Sequence, residues 1–275
     1  MCVSMALAEF NGAIAFGGEV DETTHLLAYE NTAQNKSFGP NCMLLHVPTD
    51  KLSADNLIPT RHAPMFMDDL GAAVPSLMPT TRGGGMFGHV SKGAPQVVRY
   101  GAYEIVLASA ATDIPAALSK VSQNKRPSVN YPLLEWFDRN RPGHSFVLPC
   151  FNNNVEMAAH PILVQYQPTD PSRLFAPGLE SHSGEPPTLG GRDHPRDFKV
   201  VFGSRRAMAG TEVRYSDLLG DLRKLLPTRV VGFRDENFGT NSDYSVSVED
   251  VRAGVSGWQL FRTMPEHTEG APQAW

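Results

Sequence analysis

Short apolar runs bounded by turn residues recur along the chain, and each predicts a β-strand; the first of them, residues 3–7, alternates apolar with small residues. Val3, Met5 and Leu7 share one face, and apolar character resumes at residues 13–16 after Asn11-Gly12. The chain is therefore expected to open with a β-hairpin that turns at those two residues. Residues 26–29 and 42–47 read as further strands, separated by a polar stretch that ends at Gly39-Pro40. Residues 96–99 and 103–108 form a second hairpin-like pair around Gly101. Strands are also expected at 145–151, 162–166, 198–203, 229–233, 244–248 and 258–262.

Helical periodicity is concentrated in fewer places. Asp113 caps an expected helix with Pro115 in its first turn, running to about residue 121. Asn130 caps another, with Pro132 at its start and Leu133, Leu134, Trp136 and Phe137 along it, closed by Arg141-Pro142-Gly143. Ser216 precedes Leu218, Leu222, Leu225 and Leu226 at helical spacing, and Pro227 stops that run. A short amphipathic piece at 66–74 ends at Pro75. The long segments 52–93 and 168–197 otherwise lose their period, consistent with a chain that carries 24 glycines and 22 prolines. Strands grouped as hairpins with helices between them predict an α+β fold with mainly antiparallel sheets and helices packed on them. Residues 1–264 are expected to form one domain, with 265–275 a peripheral tail.

Charge and cysteine usage narrow the function classes. Lys and Arg number 24 against 29 Asp and Glu, a formal charge of -5, without the concentrated basic face that nucleic acid requires. Arg205-Arg206 reads as solvated surface. No run reaches the roughly 18 apolar residues that span a bilayer, and the N-terminus lacks a signal-peptide pattern. The expectation is a cytoplasmic protein with no nucleic-acid or membrane partner. Three widely spaced cysteines, Cys2, Cys42 and Cys150, fit neither a disulfide framework nor a zinc pattern.

Cys2 carries the sharpest chemistry. Removal of Met1 exposes an α-amine whose pKa near roughly 8 lets it take the thiol proton, leaving a thiolate able to attack a carbonyl. Met1-Cys2, the alternating strand, Asn11-Gly12, the Phe16-Gly17 pair and Asp21 resemble the opening of the N-terminal nucleophile hydrolases, in particular the choloylglycine hydrolase and penicillin V acylase group. The resemblance covers about the first 21 residues. It implies an αββα sandwich, two stacked antiparallel sheets between helix layers, and cleavage of a small C-N amide; no cofactor is expected. Where that family has an arginine after Phe-Gly, this chain has Gly18. Asn152 and Asn153, at the end of a buried strand, are candidate oxyanion donors. Cys150, with His144 or His160, is another arrangement of thiol and imidazole.

A second constellation, His182, Glu185, Asp193 and His194, lies in the Pro/Gly-rich loop and offers metal ligands, with His25, His46 or His160 as outside contributors. The spacing matches no metal motif, and Gly184 and Pro186 oppose a helix there. Gly83, Gly85 and Gly88 satisfy G-x-G-x-x-G, but no strand precedes and no helix follows, so a phosphate cradle is not expected. The chain thus supports two functions: an amidohydrolase with Cys2 as nucleophile, acting on a small molecule, or a non-catalytic structural protein that self-associates into a homo-oligomer.

Overall fold

The computed structural model describes residues 2–74, 103–158, 160–191, 197–217, 220–236 and 239–264, together with the backbone of 98–100. The larger sheet contains β2 (Ala8–Glu19), β3 (His25–Asn35), β8 (Met157–Ala158), β9 (Ile162–Tyr166), β11 (Phe198–Ser204), β12 (Thr211–Glu212) and β13 (Arg229–Asp235). Its order is β12-β13-β11-β2-β3, with β8 and β9 sharing the far edge of β3. Every pairing is antiparallel except β11 with β2. The second sheet is antiparallel throughout, in the order β1 (Val3–Ser4), β4 (Asn41–Val47), β7 (Ser145–Phe151), β6 (Tyr103–Ala108) and β5 (Val98–Tyr100). A ribbon of β10 (Arg173–Ala176) and β14 (Tyr244–Ser247) completes the strands.

The two sheets face each other, and the alternation along each strand decides which residues fill the gap. Ala15, Leu27, Tyr29, Val200, Phe202 and Phe233 of the larger sheet meet Met43, Leu45, Val47, Ile105 and Val147 of the smaller in one buried core. Their sequence neighbours point the other way. Leu44, Phe146 and Leu148 pack under α2 (Ile114–Leu118) and α3 (Tyr131–Asn140), while Ile14, Phe16 and Leu26 pack under α1 (Phe66–Ala72) and α4 (Leu222–Leu225). The result is the expected α+β fold, a helix–sheet–sheet–helix stack. Helices α5 (Val248–Ala253) and α6 (Gly257–Arg262) add Val251, Leu260 and Phe261 to the core between the sheets.

Local expectations fail where a residue serves a different geometry. Asn11-Gly12 is a bulge within the single long strand β2, not a hairpin turn: the β2–β3 register shifts between Asn11 and Ile14, and Gly12 supplies the left-handed φ of +61° that the extra residue needs. The reversal into β3 comes instead after Glu19. Residues 258–262 are helical because Ser256 and Gln259 form a reciprocal capping box, a stronger signal than the short apolar alternation there. Ser216 caps no helix. Its amide and hydroxyl both donate to Asp69 Oδ2 at 2.8 Å, and the helix begins only at Leu222. Asn130 does cap α3, accepting from the Leu133 amide. The Gly101 turn and the 265–275 tail lie outside the described residues.

Helix α6 approaches the sheet so closely that a Cβ on Gly257 would lie 1.9 Å from the Gly232 carbonyl oxygen in β13. Backbone atoms on that side leave nothing soft to yield. Gly257→Ala is expected to destabilise the protein by about 1–3 kcal/mol, read as a lowered urea midpoint. Ser256→Ala, which removes only the cap, should cost about 1 kcal/mol.

Candidate functional site

A buried carboxylate organises the most chemically equipped corner of the molecule. Asp243 lies just ahead of β14 and draws partners from three places in the chain. Its Oδ1 accepts the amide of Gly178 at 2.9 Å and that of Leu179 at 3.4 Å. Its Oδ2 receives Nε and Nη2 of Arg141 at 2.9 and 2.8 Å. His46 Nε2, on β4, stands 3.2 Å from Oδ1; the angle is poor for a hydrogen bond, so that contact is chiefly electrostatic. Burial on its own would raise the Asp243 pKa, yet the adjacent His46, the Arg141 guanidinium and the Gly178 amide outweigh it and hold the carboxyl well below its usual range.

The chain continues outward from His46. Its Nδ1 lies 3.0 Å from Nδ1 of His144. Arg141 ends α3, and Gly143, at φ +73°, turns the backbone into β7, which sets His144 beside β4. Burial first, then His46 and Arg141, push His144 down to about 3 against the opposing pull of Asp243, so its imidazole is neutral near pH 7. The 3.0 Å contact requires a hydrogen on one of the two Nδ1 atoms; with the His46 proton on Nε2, facing Asp243, His46 Nδ1 accepts from His144 Nδ1–H and His144 Nε2 keeps a lone pair.

That nitrogen belongs to a residue lining a cleft of about 250 Å³, together with Arg141, Arg173, Asp170, Phe175, Ser242 and Asp243. Arg173 Nε donates to the Ser245 hydroxyl at 2.9 Å and Nη2 to the Ser245 carbonyl at 2.7 Å. Its Nη1 meets no acceptor among the described residues. Asp170 Oδ1 accepts from the amide and hydroxyl of Ser172, and its carboxyl, held below its usual range by those bonds and in part by the Arg173 charge, adds a negative charge to the same wall. The cleft therefore presents a cationic donor, a carboxylate and a neutral imidazole. A larger cleft, about 380 Å³, runs past Met5, Phe38, Pro40, Pro127 and Tyr131 and contains no carboxylate, imidazole, thiol, lysine or arginine.

The residues singled out from the sequence do not gather at one place. Cys2 is 2% exposed in the core between the sheets, with its thiol against the Tyr29 hydroxyl, and lines neither of these clefts. Asp21 sits in the β2–β3 turn, where its carboxylate accepts from the amide and hydroxyl of Thr23. Asn152 and Asn153 are at the other end of that hairpin: Asn152 donates to the Asn124 carbonyl and Asn153 to those of Ala33 and Val155. Twelve residues of β2 at about 3.3 Å each separate the two ends. His182 Nε2 lies 2.5 Å from buried Glu180, and Glu185 is exposed. Asp193 and His194 lie outside the described residues, among which no three His, Cys, Asp or Glu side chains could hold a metal ion. The glycine-rich motif at 83–88 is likewise outside them.

The sequence offered His144 only as a partner for Cys150, His46 only as an outside metal ligand and Arg141 only as a helix stop, while Asp243 and Arg173 carried no signal. Nothing in a sequence marks positions 46, 144 and 243 as neighbours. Comparison with known proteins adds no assignment: no family model and no curated protein matches the chain. Among solved structures, baculovirus P35 is similar, with a TM-score of 0.43 and 12% identity over 74% of this chain and 67% of that one. Among the described residues no helix is long and apolar enough to cross a membrane.

The depressed pKa of His144 has a definite sign. Between about pH 6.5 and 3 the unfolded chain binds a proton at this histidine that the folded chain does not, so stability falls as pH drops through that window. Asp243 adds a further loss as pH falls below its unfolded value of roughly 3.9. His144→Gln is expected to flatten the decline between pH 6.5 and 4.5 in urea unfolding measured at each pH. Identical slopes for variant and parent would show that His144 is not held neutral by the fold.

Proposed function

We propose that the protein is an enzyme of the acid–base class that takes a small, negatively charged substrate in the cleft between Arg173 and His144. The observation that carries this reading is the unbroken line of contacts from buried Asp243 through His46 to His144, ending at a cleft with arginine on its walls. In this reading His144 Nε2 accepts a proton from substrate or from an attacking water. Its Nδ1 proton passes to His46 Nδ1, and the imidazolium so formed rests against Asp243. Positive charge thus moves away from the cleft toward a carboxylate that the Gly178 and Leu179 amides and Arg141 keep ionised. An anion bound by Arg173 raises the basicity of His144 at the moment it is needed.

An amidohydrolase built on Cys2 instead requires a substrate route to a side chain enclosed between the sheets. Its supporting observation is the contact of the thiol with the Tyr29 hydroxyl. The two readings part experimentally. Phosphate and small dicarboxylates should raise the parent's melting temperature with increasing concentration, and Arg173→Gln should abolish the rise. Carboxylate-bearing chromogenic esters and anilides serve as substrates. With these, His144→Gln should lower kcat by about 10²–10⁴ while binding persists, and Cys2→Ala should leave kcat unchanged. Loss of turnover in Cys2→Ala but not in His144→Gln would transfer the activity to Cys2. Absence of any anion-dependent shift would remove the cleft from consideration.

A further inference from the structure

Cys42 and Cys150 are directly opposite each other on neighbouring antiparallel strands, β4 and β7, and both are fully buried as free thiols. Both side chains project from the same face, into the layer under α2 and α3. The hydrogen-bond phase at this point follows from the other edge of β4. The Cys42 carbonyl accepts from the Met5 amide at 2.9 Å, so the backbone polar groups of Cys42 point toward β1 and away from β7. Cys42 and Cys150 are therefore a non-hydrogen-bonded pair, the kind whose Cα atoms approach to about 4.5 Å. That separation falls within the range a disulfide spans, roughly 4.4–6.8 Å, whereas hydrogen-bonded pairs keep their side chains further apart.

The neighbouring position gives a link between these strands something to do. Met43 and Pro149 should form the next, hydrogen-bonded pair, but Pro149 has no N–H, and the β4–β7 ladder is interrupted between Cys42–Cys150 and Leu45–Val147. Cys2 does not compete for either sulfur: it belongs to the core on the opposite face of the same sheet.

We propose that Cys42 and Cys150 form a reversible cross-strand disulfide that clamps β4 to β7 where Pro149 breaks the ladder. The oxidant is a peroxide. One thiolate attacks a peroxide oxygen and becomes a sulfenic acid as the O–O bond breaks and water leaves. The second thiol then attacks the sulfenic sulfur, closing the S–S bond and releasing a second water. Two thiols are oxidised and one peroxide is reduced to two waters. Burial and the adjacent Cys150 push the Cys42 thiol up, so the reaction is slow in the native fold and requires the α2–α3 layer to open.

The test starts from reduced protein, treats it with hydrogen peroxide under native conditions, quenches, and then alkylates in denaturant. The expected product is lighter by about 2 Da before alkylation, takes one alkyl group instead of three, and yields a linked pair of peptides containing Cys42 and Cys150. Dithiothreitol should restore three alkylatable thiols. The closed loop exceeds 100 residues, so the oxidised form should melt roughly 5 °C or more above the reduced form. Cys2→Ser should still form the link, while Cys42→Ala and Cys150→Ala should not. If either alanine variant does not fold, peptide mapping of Cys2→Ser decides the pairing. Three alkylatable thiols after peroxide treatment, addition of oxygen in place of loss of hydrogen, or a link that involves Cys2 would overturn the proposal.

Discussion

A carboxylate buried away from water is tolerated only when its charge and its lone pairs are met, and the corner around Asp243 is arranged to meet that demand. The requirement reaches three other segments at once. The loop at Gly178 and Leu179 gives amides, the end of α3 gives a guanidinium, and β4 gives an imidazole. Gly178 is constrained in turn, because a Cβ there would lie 2.3 Å from the Ser242 carbonyl oxygen and push the amide away from Asp243. Nearby, the Asn241 side chain accepts from the Glu180 amide and donates to its carbonyl, holding the two loops in register much as a strand would. Removing Asp243 would leave Arg141 and His46 without their anion, so the site and the packing of this corner stand or fall together.

The two-sheet stack decides where reactivity is accessible. Side chains between the sheets, Cys2 among them, are enclosed by large apolar neighbours, whereas His144 stands at the end of β7, where the sheet gives way to loops. A relay beginning inside and finishing at such an edge combines two conditions that usually conflict. Low dielectric around Asp243 and His46 strengthens their interaction, and the edge leaves one imidazole nitrogen for a ligand.

The β4–β7 pair links these features mechanically. It carries His46, leads out of His144 and holds Cys42 against Cys150, yet its ladder is broken at Pro149. A proline in an interior strand deprives the neighbour of one bond, and the surrounding core must hold the register there. Phe146, Leu148 and Phe137 under the helices, with Met43 and Val147 between the sheets, supply that packing.

Much of the architecture was legible along the chain. Short apolar runs between turn residues located β3, β4, β6, β7, β9, β11, β13 and β14, Asn130 and Pro132 located α3, and grouped hairpins indicated an α+β fold, because apolar clustering and capping are local rules that the sequence states directly. Other elements depended on distant partners. Gly12 became a bulge because β3 continues alongside it, and Ser216 turned to Asp69 instead of capping a helix. Strand β10 arose inside a Pro-rich loop because β14 pairs with it. The candidate site belongs wholly to this second kind. His46, His144 and Asp243 are each unremarkable in sequence, and their chemistry exists only because the two-sheet stack brings three remote segments within about 3 Å of one another and shuts out the water that would otherwise screen them.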